Sequence, residues 1–488
     1  MNKPIRSLAL VCLLMFLALM VNATVVQFVQ ADSLNAKNGN RRVIDEEFSR
    51  ERGAIVVAGE PIAESVPSDG RWEFQRQYPS GPLYSHVTGY FSYTYGRSAI
   101  ENSQNRVLSG SDDRLFVNRV VDLLASKKPQ GGSVELTLDP VAQQTAAASL
   151  DELGKNVRGA AVALDPQTGA ILAMVSRPTF DPNGLASHRL GEVSEAWQAL
   201  TGNDAKPLLN RATQQVLPPG STFKVVTAAA AIKELGLDAD SEVKGGAELT
   251  FPGISYTLKN AGGGSCGGDP ISLERAMQVS CNVSFGDMAL EVGQEKLDDM
   301  AAKFGFGSDV LQGLATNPSR FATKDADLEA PQLAQSSIGQ FEVAASPLQM
   351  AMVAAGVANE GVVMEPHLVK TVRAPNLQVL EETAPQQFSR ALEADEASVL
   401  NRIMVNVVER GTGAAARIPG VEVGGKTGTA QTSKDRPPYA WFIAYAPADN
   451  PQVAVAVVVE SADIPATDIA GGRVAGPIAR SIMEAVLR

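Results

Sequence analysis

LPPGSTFKVVTAAAAIKEL, residues Leu217 to Leu235, places a turn with two prolines and a glycine directly before a serine and a helical run. The pattern predicts a helix that begins at Ser221, because serine is a favoured N-cap. Lys224 then lies one turn further on nearly the same face, within reach of the serine oxygen. Ser-x-x-Lys alone is expected about once by chance in a chain of this length, so other parts of the sequence must decide its meaning.

The serine hydroxyl of such a pair has a definite chemical requirement. It is a weak nucleophile at neutral pH, and a desolvated lysine beside a second cation can lose its proton and act as the base that it needs. The free N–H groups and positive dipole end of a helix N-terminus favour negative charge developing beside Ser221. The pattern therefore predicts a second cation and a hydroxyl relay elsewhere in the chain.

Two further fragments supply these groups. Ser280 to Asn282, reading SCN, follows an amphipathic helix, and Gly424 to Ala430, reading GGKTGTA, is predicted as a strand whose glycines allow a ligand to approach the backbone. Alone, the first fragment is a helix end or turn, and the second is an edge strand weakened by glycine. Their order after Ser-x-x-Lys, rather than either fragment alone, is what indicates a function.

The ordered triple resembles the signature of the penicillin-interacting serine enzymes, S-x-x-K, S-x-N and K-T-G. The similarity extends to SIGQ at Ser337 to Gln340 and GTG at Gly411 to Gly413, and covers nearly all of residues 133–488. RGAIVVAGEPIAES from Arg52 resembles the N-terminal part of class B penicillin-binding proteins. YPSGPLYSHVTGYFS from Tyr78, with the modest length, is similar to the actinobacterial penicillin-binding protein A group.

The resemblance implies a peptidoglycan D,D-transpeptidase that is acylated by β-lactams and needs no cofactor. Ser221 would attack the carbonyl of the penultimate D-Ala of a stem peptide ending in D-Ala-D-Ala, and Lys224 would be the general base. Ser280 would shuttle a proton to or from the leaving amine, and Asn282 would position Lys224 and the peptide amide. Lys426 would set the electrostatics of the network.

The same resemblance assigns substrate contacts to the late strand. Thr427 and Thr429, separated by Gly428, would contact the donor carboxylate. Backbone N–H groups of Ser221 and Thr429 would form the oxyanion hole, an interaction typically worth about 3 to 4 kcal/mol per donor. An amine from a neighbouring stem would then attack the ester and form the cross-link. The expected protein partners are a lipid-II-polymerising glycosyltransferase and other wall or division proteins.

Strand patterns at both ends of the downstream region predict its fold. From Gly159, the segments GAAVALD and GAILAMVS are predicted to form a hairpin. Three later strands are predicted at VEVGGKTGTAQT, AWFIAYAP and QVAVAVVVE. A closing helix is predicted at AGPIARSIMEAVLR. Mostly helical patterns lie between them. We therefore expect an α+β fold in which an antiparallel sheet is flanked by helices and its first and last segments meet, as in the penicillin-binding transpeptidase and serine β-lactamase-like domains that the resemblance implies.

Composition suggests three regions. Residues 1–30 are predicted to be a cytoplasmic tip and transmembrane anchor, residues 31–150 a small α+β non-catalytic domain with its linker, and residues 151–488 the penicillin-binding transpeptidase domain. SKKPQGG, Ser126 to Gly132, has the composition of a linker.

The stretch from Ser7 to Val29 is mostly apolar and long enough for a helix to cross a bilayer. A cleaved signal peptide is the alternative, with a small-residue site at Val21 to Ala23, but the apolar character resumes beyond it. Lys3 and Arg6 precede the span. This predicts a single-pass cell-membrane protein with a cytoplasmic N-terminus and an extracytoplasmic catalytic domain.

Charge and cysteine usage set further limits. The net charge of −12 and pI near 5.0 argue against nucleic-acid binding, which needs clustered lysine and arginine. The three histidines show no metal-ligand spacing, so no metal site is predicted. Cys12 lies in the span. Cys266 and Cys281 either form a disulfide that closes a loop of about 15 residues or remain free thiols, and the sequence leaves both open.

Two rival functions use related chemistry. A D,D-carboxypeptidase or β-lactamase would give the acyl group to water, but the anchor, the separate N-terminal region and the long interval from Ser280 to Lys426 favour a transpeptidase. In addition, no glutamate can be assigned from the sequence as a deacylating base, which departs from the class A β-lactamase pattern. A β-lactam-sensing membrane protein would need a cytoplasmic output, and only a handful of residues precede the span. The acceptor amine, stem-peptide chemistry and septal or lateral role stay open.

Overall fold

The computed structural model describes residues 3–30, 33–34, 41–115, 130–323, 327–431, 437–465 and 468–488. Of the predicted linker, residues 126–129 lie outside these ranges. The α-helices span Lys3–Thr24, Arg41–Phe48, Gly81–Thr88, Ala99–Ser103, Asn105–Leu108, Pro140–Asp151, Asn183–Ala186, Leu190–Thr201, Lys224–Leu235, Leu273–Gln278, Asn282–Val292, Gln294–Lys303, Ala330–Ser336, Pro347–Ala358, Ala394–Arg410 and Gly476–Val486.

The strands, numbered in chain order, are β1 Ile55–Val57, β2 Glu60–Pro67, β3 Phe74–Gln77, β4 Phe91–Ser92, β5 Gly96–Arg97, β6 Ser133–Leu136, β7 Arg158–Leu164, β8 Ile171–Arg177, β9 Glu242–Val243, β10 Glu248–Phe251, β11 Ile254–Lys259, β12 Ile271–Ser272, β13 Val362–Met364, β14 Val369–Arg373, β15 Val379–Glu382, β16 Gln387–Arg390, β17 Gly424–Ala430, β18 Tyr439–Ala446 and β19 Val453–Ser461.

A five-stranded antiparallel sheet with the order β17-β18-β19-β7-β8 forms the centre of the downstream region. β19 pairs with β7, with Ala456 opposite Val162. The last strand and the first hairpin therefore meet, and the predicted α+β fold with an antiparallel sheet and flanking helices is confirmed.

The apolar runs in these strands follow from burial on both faces. Even-numbered residues of β19 from Ala454 to Val458 lie in the hydrophobic cluster that includes the helix Pro347–Ala358. The odd-numbered residues from Val455 to Val459 pack with the helices Pro140–Asp151 and Gly476–Val486. Successive strand side chains point to opposite faces, so both sets must be apolar.

A second, six-stranded sheet has the order β15-β14-β6-β1-β2-β3 and draws on two distant parts of the chain. β1 to β3 and β6 come from residues 55–136, whereas β14 and β15 come from residues 369–382. β14 pairs antiparallel with β6, with Val372 opposite Val134. The helix Pro140–Asp151 was expected to belong to the N-terminal domain, which was predicted to end at residue 150. In the structure it packs against the five-stranded sheet. The two units therefore interleave.

The N-terminal helix Lys3–Thr24 continues as a π-helical segment, Val25–Val29. Together they form 27 residues; an 18-residue window within them has a mean hydropathy of 2.6 and is not buried against the rest of the protein. By length and composition this helix can cross a membrane.

Candidate active site

Ser221 lies on a 3₁₀ turn, Gly220–Thr222, directly before the α-helix Lys224–Leu235. The α-helix thus begins later than the predicted start at Ser221. Gly220 has φ of +54°, outside the right-handed helical region, and Phe223 N donates to the Gly220 carbonyl at 2.9 Å, which closes the tighter turn. Lys224 consequently opens the helix, with its side chain fully buried.

Lys224 Nζ connects the first motif to the second. It donates to the Ser280 carbonyl and to Asn282 Oδ1, both at 2.7 Å, and lies 3.2 Å from Ser280 Oγ. The amide of Asn282 is oriented because its Nδ2 donates to the Lys259 carbonyl at 2.8 Å. A neutral lysine amine has two N–H donors and one lone pair. With both donors used by carbonyl oxygens, the lone pair is left for the third contact of Nζ, the Ser280 hydroxyl.

Ser280 itself adopts an unusual backbone conformation. Its φ is +62°, in the left-handed region that residues other than glycine rarely occupy. It forms part of the turn between the helices Leu273–Gln278 and Asn282–Val292. Residues held in this region concentrate at functional sites, and here both the carbonyl and the hydroxyl of Ser280 meet Lys224.

Lys426 on β17 brings the third motif to the same hydroxyl. Its Nζ donates to Ser280 Oγ and to the Thr427 carbonyl, both at 3.0 Å. Burial lowers the pKa of Lys426 to about 7. The pKa of Lys224 lies well below its usual value, first because of burial and second because of the charge on Lys426. Burial and the neighbouring Lys426 therefore favour an uncharged Lys224.

Two glycines allow β17 to approach the Ser221 turn. A Cβ on Gly428 would lie 2.7 Å from the Pro219 carbonyl oxygen, and a Cβ on Gly220 would lie 3.0 Å from backbone atoms of Thr429. Only residues without a side chain fit such contacts. They place the Thr429 backbone next to Ser221.

The two threonines predicted to contact a carboxylate line the same cavity as Ser221. Thr427 Oγ1 hydrogen-bonds to Thr412 Oγ1 at 2.8 Å, and Gly471 N donates to Thr429 Oγ1 at 3.4 Å. Thr412 is the central residue of the GTG segment. That segment therefore contacts the K-T-G strand through its hydroxyl.

The SIGQ segment supports the Ser221 turn through backbone contacts. Gly220 N donates to the Gly339 carbonyl at 3.0 Å, and Thr227 Oγ1 donates to the Ser337 carbonyl at 2.7 Å. Gly339 has φ of +73°, and a Cβ there would lie 2.1 Å from the Gly220 oxygen. This segment needs glycine because two backbones touch.

Asn260 is a positioning residue that sequence reasoning missed. Its Oδ1 accepts from Asn282 N at 2.9 Å and Val283 N at 3.1 Å, and its Nδ2 donates to the carbonyls of Gly246 and Gly264, both at 2.9 Å. It caps the helix Asn282–Val292 from a distant loop. Sequence analysis looks for a cap next to the helix, so no local signal could have identified Asn260.

Cys266 and Cys281 are joined by a disulfide, with their Cα atoms 5.8 Å apart. Cys281 is the middle residue of the Ser280 to Asn282 motif, so the bond ties that motif to the glycine-rich loop around Cys266. Cys12 is a free thiol in the N-terminal helix.

One cavity of about 900 Å³ brings the predicted residues together. Its lining includes Ser221, Ser280, Asn282, Thr427 and Thr429. Lys224 Nζ and Lys426 Nζ both contact the hydroxyl of Ser280, one of the residues that line this cavity. In the part of the chain that the structure describes, no three or more histidine, cysteine or acidic residues are grouped so as to bind a metal. The serine, the two lysines and the relay hydroxyl that serine acylation requires lie in or beside this cavity.

Two family models match this chain. The penicillin binding protein transpeptidase domain matches residues 159–484, and the penicillin binding protein A dimerisation domain matches residues 52–134. The peptidoglycan D,D-transpeptidase PbpA of Mycolicibacterium smegmatis is 41% identical over all of this chain and 99% of the relative. That of Mycobacterium tuberculosis is 39% identical over the same shares of the two chains.

A solved structure extends the similarity to three dimensions. The ceftriaxone acyl-enzyme complex of penicillin-binding protein A from M. tuberculosis superposes with a TM-score of 0.85 at 40% identity, covering 91% of this chain and 100% of that chain. A penicillin G acyl-enzyme complex of the same protein superposes with a TM-score of 0.84.

Proposed function

Because the chain belongs to the class B penicillin-binding transpeptidases and is a peptidoglycan D,D-transpeptidase, we propose that Ser221 is its nucleophile and Lys224 its general base. The observation that carries this assignment is the meeting of three motifs at one hydroxyl: Ser280 Oγ lies 3.2 Å from Lys224 Nζ and 3.0 Å from Lys426 Nζ. Ser221 lines the same cavity as Ser280.

In the acylation step, the Lys224 lone pair accepts the Ser221 hydroxyl proton as Oγ bonds to the carbonyl carbon of the penultimate D-Ala. The backbone N–H groups of Ser221 and Thr429 stabilise the oxyanion. The bond to the last D-Ala then breaks, and the proton passes from Lys224 through Ser280 to the leaving nitrogen. Lys426, hydrogen-bonded to the Ser280 hydroxyl, holds that hydroxyl in place during the transfer.

In the second step, an acceptor amine attacks the ester carbonyl of the acyl-enzyme. Lys224, neutral again after the first step, takes the proton that the amine loses and returns it to Ser221 Oγ as the ester bond breaks. Thr427 and Thr429 contact the donor carboxylate before acylation. The product is a new amide between two stem peptides, and the same serine is the site that β-lactams acylate.

We propose that this enzyme transfers the acyl group to amines in preference to water. Full-length protein in detergent, given a D-Ala-D-Ala thioester analogue and a D-amino acid acceptor, is expected to form mainly the aminolysis product. Its benzylpenicillin adduct should persist after free drug is removed. Mass spectrometry of the reaction products measures aminolysis, and mass spectrometry of the protein measures the adduct. Reactions without the acceptor are the control. Rapid penicillin turnover with acyl transfer to water alone would support the hydrolase instead.

A pH experiment tests the coupling of the two lysines. Only neutral Lys224 can accept a proton, so acylation should rise as pH rises through its pKa in the folded protein. Lys426→Ala removes a neighbouring positive charge and should raise the pKa of Lys224. We therefore expect the rising limb of penicillin acylation to move to higher pH. Lys426→Arg, which keeps the charge, should not shift the limb upward; an unshifted limb in Lys426→Ala would refute the coupling.

We also propose a location and partners for the enzyme. The apolar helix that ends at Val29 would cross the cell membrane once and anchor the enzyme. Lys3 and Arg6 would lie on the cytoplasmic side and the catalytic unit outside. The N-terminal unit, between the anchor and the five-stranded sheet in sequence, is the proposed docking region for a lipid-II-polymerising glycosyltransferase or other wall and division proteins.

A further inference from the structure

Two neighbouring residues outside the three motifs hold Asn282 in place. The Lys259 carbonyl accepts from Asn282 Nδ2 at 2.8 Å, and Asn260 Oδ1 accepts from Asn282 N at 2.9 Å. The remaining polar atom of the Asn282 side chain, Oδ1, accepts from Lys224 Nζ at 2.7 Å. The orientation of the proposed general base therefore depends on contacts that lie one step behind the motif residues.

The side chain of Asn260 has no hydrogen-bonding capacity left for a substrate. A side-chain amide has two N–H donors and an oxygen with two acceptor lone pairs. Both donors of Nδ2 are used, by the carbonyls of Gly246 and Gly264 at 2.9 Å. Both lone pairs of Oδ1 are used, by Asn282 N at 2.9 Å and Val283 N at 3.1 Å. Although Asn260 lines the cavity, its contacts therefore indicate positioning rather than substrate binding.

The turn at Ser280 needs this support. Its φ of +62° lies in the left-handed region, and a residue other than glycine stays there only when its surroundings hold it. Cys281, the N-cap of the helix that follows, makes no side-chain cap hydrogen bond, so Asn260 caps that helix from a distance. The free-energy cost of a strained backbone and the contribution of a helix cap are of similar size. Loss of the cap should therefore release the turn and the Ser280 carbonyl with it.

We infer that Asn260 positions Lys224 for proton transfer, because it holds the two oxygen acceptors of the lysine amine, Asn282 Oδ1 and the Ser280 carbonyl. The inference rests on the proposed function, in which Lys224 takes a proton in both the acylation step and the transfer step. It goes beyond that function by making both steps depend on a residue outside the three motifs. Since Asn260 acts through other residues, it should affect turnover and leave substrate affinity unchanged.

Asn260→Ala tests this role in full-length protein in detergent, with the D-Ala-D-Ala thioester analogue and a D-amino acid acceptor. We expect kcat for thiol release to fall by about 10-fold, as for a small displacement of a catalytic group, while KM stays within about 2-fold of wild type. Expressing kcat per benzylpenicillin-binding site removes any contribution from an unfolded fraction. A rise in KM at unchanged kcat would show that Asn260 binds substrate and would overturn the inference.

Asn260→Asp keeps the acceptor oxygen and removes the N–H donors. A carboxylate can still accept from Asn282 N and Val283 N, and negative charge is favoured at a helix N-terminus. On the alkaline plateau of the pH profile, where Lys224 is neutral, kcat should return to within about 3-fold of wild type. An Asn260→Asp protein as slow as Asn260→Ala would show that the acceptor oxygen does not hold the base, which would overturn the inference.

Asn401→Ala is the matched control. Asn401 also uses both ends of its amide, donating to the Ala448 carbonyl at 2.9 Å and accepting from the Tyr445 hydroxyl at 2.7 Å, and it does not line the cavity. Its kcat and KM should match wild type. A wild-type kcat in Asn260→Ala would overturn the inference and leave the proposed function standing. Absence of both thiol release and a penicillin adduct on Ser221 in wild type would overturn the proposed function, and the inference with it.

Discussion

Replacing Ser221 by alanine is expected to abolish covalent labelling by a fluorescent penicillin. The substitution removes the oxygen that we propose forms the acyl bond. The hydroxyl of Ser280 cannot replace it, because that hydroxyl is held between Lys224 and Lys426. Intact-mass measurement should show no adduct after times that saturate the wild-type protein.

The matched control is Ser481→Ala on the closing helix, where the serine hydroxyl donates to the Pro477 carbonyl away from the cavity. This variant should be labelled like wild type. Labelling of Ser221→Ala that maps to a peptide outside residues 217–235 would identify a different nucleophile and remove the basis of the mechanism.

Lys224→Met is expected to slow penicillin acylation by about 10²- to 10⁴-fold, the usual contribution of a general base. Methionine keeps much of the apolar stem but cannot accept the Ser221 proton. The Ser280 carbonyl and Asn282 Oδ1 would each lose a donor, which typically costs about 1 to 3 kcal/mol of stability for a buried group. Stopped-flow acylation and urea unfolding measure the two effects separately.

The pH profile distinguishes a lost base from a disturbed fold. In wild type the acylation rate should rise with pH as Lys224 loses its proton, and in Lys224→Met this limb should disappear. Lys233→Met, on the same helix but paired with Glu396 at 3.5 Å, should keep it. A Lys224→Met protein with a wild-type rate and limb would show that another group is the base.

The sequence predicted the central sheet well because burial on both faces leaves a strong signal. β19 and β7 are continuous apolar runs, and the glycines of β17 mark where backbones touch. The two lysines could also be anticipated, since a serine nucleophile needs a base with a lowered pKa.

What the sequence did not indicate depends on distant contacts. β14 and β15 lie in the second sheet because β14 pairs with β6, more than 200 residues earlier. The cap of the helix Asn282–Val292 comes from Asn260 rather than from an adjacent residue. The start of the helix after Ser221 was misplaced because the turn at Gly220 is shaped by its contacts with Gly339 and Thr429. No local window contains these partners.

The six-stranded sheet takes its strands from two distant parts of the chain, and this limits how the molecule can be divided. A fragment limited to the matched range 159–484 would retain β14 and β15 but lose β6, their neighbour in the six-stranded sheet. The freed edge of β14 would expose unpaired backbone groups that recruit other chains. Trimming this enzyme to residues 159–484 would therefore invite aggregation, so soluble versions should begin before Arg52.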